Sequence, residues 1–231
     1  KIPFVFLQHG VIALKRVDNF YGKGKKGGCD LFVVSTNKEK QTIVENFEYE
    51  PDEVINTGLP RWDVLKDKSQ GKREILIMPT WRNWLDSVPD KDFEESDYFR
   101  HYMGLLNSER LNQILEKYDL EVNFYLHAKF QEYADTFKSI SKRIHLISFG
   151  EVAVNEMLMR CRMLITDYSS VCWDILYQDK PSLFYQFDIE KYNEAHGSYI
   201  DMETELFGDR AATQEQLLDY LEETVQNDFR L

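Results

Sequence analysis

The sequence predicts an α/β fold built on a mostly parallel sheet. Short apolar runs recur along the chain and alternate with stretches whose apolar side chains follow helical spacing. Polar, chemically capable residues stand just after four of these runs, where parallel sheets bind their ligands. The 231 residues suffice for one substantial α/β domain, alone or with an appendage.

Residues 4–8 form a short strand that ends at His9-Gly10. Residues 18–28 carry Gly22, Gly24, Gly27 and Gly28 and are predicted as a loop. A second strand covers 30–35, and a helix follows over 37–47 with Ile43, Val44 and Phe47 on its apolar stripe. A strand over 54–57 precedes the turn Gly58-Leu59-Pro60. Residues 74–79 (EILIMP) are the next strand, and 81–95 mix aromatic and charged side chains irregularly. Residues 96–118 are helical, with breaks near Gly104 and Asn107. Further strands are predicted over 121–126, 144–147, 163–166 and 182–185. Helices are predicted over 132–137, 153–159, 169–177 and 214–225, the last with Leu217, Leu218 and Leu221 on one face. This alternation implies a parallel sheet covered on both faces.

Composition narrows the function. The formal net charge of −12 argues against general nucleic-acid binding, which needs positive surface. A local basic stretch remains in Lys15, Arg16, Lys23, Lys25 and Lys26, read either as a solvated loop or as a contact for an anionic substrate or lipid headgroups. No run approaches the roughly 18 apolar residues that span a membrane, and no signal peptide is visible. The chain opens at Lys1 on a strand already under way, so a fragment of a longer protein is expected. Cys29, Cys161 and Cys172 fit neither a disulfide framework nor a zinc site. A reducing, cytoplasmic compartment accounts for them most simply. No P-loop, glycine-rich dinucleotide fingerprint or internal repeat is found.

The strand ends carry the chemistry. His9 follows the first strand and precedes Gly10, and is read either as a proton acceptor or as a structural histidine. His127 stands in the same kind of place, with Lys129 nearby. Thr166-Asp167-Tyr168-Ser169-Ser170 is the strongest local signal. A strand delivers two serines to a helix start, where hydroxyls and unpaired N–H groups suit a diphosphate; an ordinary N-cap is the rival reading. Asp174, further along that helix, is a candidate for a ribose hydroxyl or a plain helix charge. Arg82, after Thr80-Trp81, has the fork geometry that neutralises phosphate charge, and Arg61 can do likewise or pin its loop to a carboxylate. No carboxylate pair with metal-ligand spacing stands out, although Mg²⁺ is a possible companion of a nucleotide.

The segments FLQHG, TGLPRWD, ILIMPTWR, FYLH and LITDYSSVCWDILYQDKPSLFYQFD together resemble the CDP-glycerol:poly(glycerophosphate) glycerophosphotransferase family, from Phe4 to about Gly208. The resemblance implies a GT-B-like fold of two Rossmann-like halves with the active site in the cleft between them. It implies that residues 1–27 are a connecting segment from, or packed against, an N-terminal domain, and that residues 28–231 are the C-terminal donor-binding domain. Carried onto this chain, His9 matches the catalytic base and His127 the second essential histidine. Ser169 and Ser170 match the phosphate-binding serines, with Asp174 as the carboxylate near the ribose. The chain departs from the pattern at Ala128, where proline often follows the histidine, and at Phe207-Gly208-Asp209 in place of Pro-Gly. The implied reaction moves glycerol or ribitol phosphate from CDP-glycerol or CDP-ribitol to a lipid-linked or polymeric acceptor, with CMP released. Its setting would be the inner face of the membrane. A sugar-nucleotide glycosyltransferase on the same scaffold and a non-catalytic nucleotide-binding domain are the alternatives.

Overall fold

The computed structural model describes residues 2–230. The chain divides into two compact units: one runs to Leu65 and includes Ile189–Leu206, and the other comprises Lys66–Asp188 and the segment from Phe207 onward.

The first unit holds a parallel sheet of order β1-β2-β3, made of Val5–Phe6, Leu31–Val34 and Val54–Asn56. Val5 pairs with Leu31, and Phe32 with Val54. The helix Asn37–Phe47 is capped by Thr36, whose hydroxyl accepts from Glu39 N. Its stripe buries Ile43 and Phe47 against Phe32, Val34 and Val54, largely as the sequence period requires. The expected boundary at 27/28 falls inside this unit, because β1 and β2 lie on either side of it and share one ladder. The outer ends of the two expected segments, Lys1 and Leu231, lie outside the described residues.

The second unit is a parallel sheet of order β6-β5-β4-β7-β8-β9. Its strands are Glu74–Ile77 (β4), Glu121–Tyr125 (β5), Ile144–Ile147 (β6), Met163–Thr166 (β7), Ser182–Tyr185 (β8) and Arg210–Ala211 (β9). Starting at β4, the chain adds strands outward to β6, then returns beside β4 at β7 and builds the other way. This is the doubly wound Rossmann arrangement, with its switch point between β4 and β7. Ile75, Ile77, Val122 and Phe124 meet Tyr102, Leu105, Leu115 and Leu221 in one core.

Most predicted elements appear within a residue or two. The helical stretch 96–118 breaks at Asn107 into Asp97–Leu106 and Glu109–Lys117, while Gly104 stays inside the first helix. Ser96 and Ser108 cap the two starts. The irregular 81–95 contains a helix at Asp90–Glu94 whose Phe93 is fully buried and stacks on Tyr133 at 3.9 Å. That burial contributes about 1.5–3 kcal/mol and explains why an aperiodic stretch is ordered. The helix Ile189–Ala195 and the short β9 lack a clear sequence period. Gly208 lies so close to Ser182 that a Cβ would collide with its carbonyl oxygen, so glycine is required there.

Burial pushes the Cys161 thiol up to about 12, and burial followed by the Asp174 charge raises that of Cys172 well above its ordinary value. Both stay protonated and inert at neutral pH. Thiol labelling of the native protein at pH 8 should modify only the partly exposed Cys29, and slowly, with all three reacting after denaturation. Fast native labelling of Cys172 would show that the turn before it opens.

Candidate functional site

The site is built where β4 and β7 end side by side. Thr166 does not face a ligand: its hydroxyl donates to the Met78 carbonyl at 2.6 Å and fastens the two strands. Asp167 is fully buried. Its Oδ1 accepts from the backbone N–H of Thr80 at 2.8 Å and of Tyr168 at 2.6 Å. One carboxylate oxygen therefore serves the two amides that lie beyond the strand ladder.

Arg82 is also fully buried. Its Nη1 lies 2.8 Å from Asp167 Oδ2 and donates to the Thr80 carbonyl at 2.7 Å. Nε and Nη2 grip Asp188 as a fork, at 2.8 and 3.0 Å. Tyr168 and Tyr98 present their rings to the guanidinium at 4.8 and 5.3 Å. Burial alone would lower the Arg82 pKa, but Asp167 and then Asp188 outweigh it and hold it well above its ordinary value. Burial, and next Asp167, drive the Tyr98 and Tyr102 phenols far up. Burial and then Asp188 do the same to Tyr168. All three phenols stay neutral, and two of them donate: Tyr102 to Asp167 at 3.1 Å and Tyr168 to Asp188 at 3.0 Å. The expected direct role of Arg82 on phosphate is therefore revised. Its guanidinium is inside the protein, where it neutralises two carboxylates. Asp167 and Thr166 likewise serve the fold beneath the site.

Ser169 and Ser170 are only partly buried. The helix that follows, Cys172–Leu176, starts later than expected because 169–171 form a tighter turn. Cys172 N donates to Ser169 O and Trp173 N to Ser170 O, both at 3.2 Å. The amides of Ser169 and Ser170 precede the first acceptors of that turn, which suits an anion. Asp174 is 2% exposed, so its carboxylate lies inside the protein and not at the accessible surface of the turn.

His127 follows β5 and is half-buried. Its Nδ1 accepts from Lys129 N at 3.2 Å. In the neutral ring this leaves the proton on Nε2, which becomes a donor. Trp81 stacks beside the imidazole at 6.4 Å. Arg82, Asp167, Ser169, Ser170 and His127 thus belong to the second unit, at neighbouring strand ends.

His9 belongs to the first unit. It is exposed after β1, with the rings of Phe6 and Tyr21 at 6.2 and 6.1 Å. Arg61 donates to its backbone carbonyl oxygen, where one alternative expected a carboxylate. The remaining histidines are local: His145 meets Glu121 at 2.9 Å, His101 stacks on Phe187, and His196 lies against Tyr192. Sequence reasoning missed Asp188, Tyr102 and Glu39. The acidic end of Gln186-Phe187-Asp188 and the capping-box spacing Thr36-x-x-Glu39 were the available signals. Among the described residues, no group of three or more His, Cys, Asp and Glu could hold a metal ion.

Strand order and switch-point site define a doubly wound, GT-B-like α/β protein. The chain belongs to the CDP-Glycerol:Poly(glycerophosphate) glycerophosphotransferase family, whose profile matches residues 2–230. It is 32% identical over 244 residues to the minor teichoic acid biosynthesis protein GgaB of Bacillus subtilis (strain 168), covering 99% of this chain and 26% of that protein. It is 28% identical over 211 residues to the teichoic acid poly(ribitol-phosphate) polymerase of Bacillus spizizenii, covering 84% and 32%. The chain therefore spans about a third or less of these two relatives. The solved wall teichoic acid polymerase TagF superposes with a TM-score of 0.70 at 21% identity, over 96% of this chain and 59% of that one. A Methanocaldococcus jannaschii UDP-GlcNAc 2-epimerase superposes with 0.52 at 14% identity, over 84% and 54%. These two likenesses describe the fold alone.

Arg82→Ala leaves two buried carboxylates without their cation and should cost about 3–5 kcal/mol, read as a lower urea midpoint at unchanged m-value. A loss under about 1 kcal/mol would place the pair among weak surface bridges.

Proposed function

We propose that the full protein transfers a polyol phosphate from a CDP-linked donor to an acceptor hydroxyl, releasing CMP, during synthesis of a teichoic-acid-like polymer. The observation that carries this reading is the pair of serines at the switch point, set on a buried Asp–Arg–Asp brace, in a chain of this family. The second unit is the donor-binding part. The diphosphate lies on the Ser169-Ser170 turn, whose amides and hydroxyls face its negative charge. His127 donates from Nε2 to a phosphate oxygen. Arg82, Asp167 and Asp188 hold the turn from below and do not touch the donor.

His9, on the first unit, removes the proton from the acceptor hydroxyl. The hydroxyl oxygen bonds to the β-phosphorus as the bond from that phosphorus to the bridging oxygen breaks. The electron pair leaves on CMP, and the new link is a phosphodiester. Hydrogen-bond donors spread the charge on the transferred phosphoryl. No helix of the described residues is long and apolar enough to cross a membrane. The full protein meets its lipid-linked acceptor at the inner membrane face by peripheral contact.

The full-length protein should release CMP from CDP-glycerol or CDP-ribitol when given a lipid-linked acceptor, and the preferred donor names the polyol. His9→Ala and His127→Ala should each lower kcat by roughly 10²–10⁴-fold. Turnover of a sugar nucleotide alone would make the protein a glycosyltransferase. Full turnover in His9→Ala would remove the base from the mechanism.

A further inference from the structure

Glu39 stands in the first turn of the helix Asn37–Phe47 and is 3% exposed. Thr36 and Glu39 have the spacing of a capping box, in which the glutamate normally folds back on the cap residue. Half of that box forms, with Glu39 N donating to Thr36 Oγ1 at 3.1 Å. The carboxylate is spent elsewhere. Oε2 accepts from Ser35 N at 2.7 Å and from Ser35 Oγ at 2.6 Å. Oε1 accepts from Ile12 N at 2.7 Å and from Gln8 Nε2 at 3.2 Å.

Two of these four donors come from either side of His9. Gln8 precedes it, and Ile12 follows the buried Gly10. Gln8 has φ +58°, a left-handed conformation that a non-glycine residue keeps only when its surroundings hold it. Its amide also donates to Val33 O at 2.6 Å. With Arg61 on the His9 carbonyl, the segment 8–12 is fastened on both flanks while the imidazole stays exposed. A cap alone requires none of this. A single buried carboxylate joins the end of β2, the helix start and both sides of the histidine.

We infer that Glu39 is a positioning residue: it fixes the His9 turn and so presents the imidazole in one orientation. The inference rests on the reading above, in which His9 takes the acceptor proton. It acts through His9 and touches neither donor nor acceptor. Glutamine is nearly isosteric, but its NH₂ would point at an N–H that now meets an oxygen. Loss of geometry at the base would then appear in turnover and not in donor binding.

The test uses the full-length protein, CDP-glycerol and a lipid-linked acceptor, or CDP-ribitol if that is the donor turned over. Glu39→Gln should lower kcat roughly 10–100-fold and leave the donor KM within about twofold. In a His9→Ala background the same change should lower the residual rate no further. The His9 ring resonances, assigned by their loss in His9→Ala, should shift or double in Glu39→Gln. Gln8→Gly keeps the left-handed turn but deletes the tether, and should also lower kcat with the fold intact. It carries the test if Glu39→Gln does not fold. Unchanged kcat and unchanged His9 resonances would overturn the proposal, as would equal losses in both backgrounds. Full activity in His9→Ala would instead sink the base assignment, while the resonances would still report whether Glu39 sets the turn.

Discussion

The structure depends on keeping one guanidinium charged in a dry place. Arg82 is fully buried between Asp167 and Asp188. Burying an ion is costly unless every charge and donor is answered. Here the charges are: the two carboxylates take the guanidinium, two backbone amides and two phenols. The cluster joins the ends of β4, β7 and β8 into one piece. Removing any member exposes the others to an uncompensated field, so the arrangement behaves as a unit.

That unit explains why the polar residues of the switch point divide into two kinds. Thr166, Asp167 and Asp174 are spent inside the protein, while Ser169, Ser170 and His127 remain at the surface. The buried set orders the backbone that the accessible set needs. Preorganised donors of this sort cost no reorganisation when charge develops on a bound phosphate. Folds of this kind serve several chemistries, as the likeness to a UDP-GlcNAc 2-epimerase illustrates. The argument for function therefore rests on the site and on family membership, with the fold as scaffold.

Much of this was legible in the sequence. The runs at 74–79, 121–126, 163–166 and 182–185 were recognisable as strands because each is short and largely apolar. Their polar ends marked the switch-point side of the sheet. The helix Asp90–Glu94 and strand β9 were not legible, since tertiary contacts order them: Phe93 on Tyr133, and β9 on β8. Arg82 was visible as a strand-end cation, but its task was not. Its partner Asp188 lies 106 positions away, and only the crossover brings them together. Glu39 has the spacing of a helix cap, which gives no sign of its other task; the loop it holds is 27 positions upstream.

The sequence by itself determined the alternation of strands and helices, the α/β class, the strand ends that carry chemistry, and the family signature. These are local properties, set by apolar period and turn residues within a few positions. Tertiary structure decided which polar groups are buried and which remain accessible. It also decided the split of the chain at Leu65, and the pairing of β1 with β2 that places residues 28–65 in the first unit. Burial and pairing depend on long-range partners that no local pattern specifies, and so the same arginine reads as a ligand in sequence and as a brace in space.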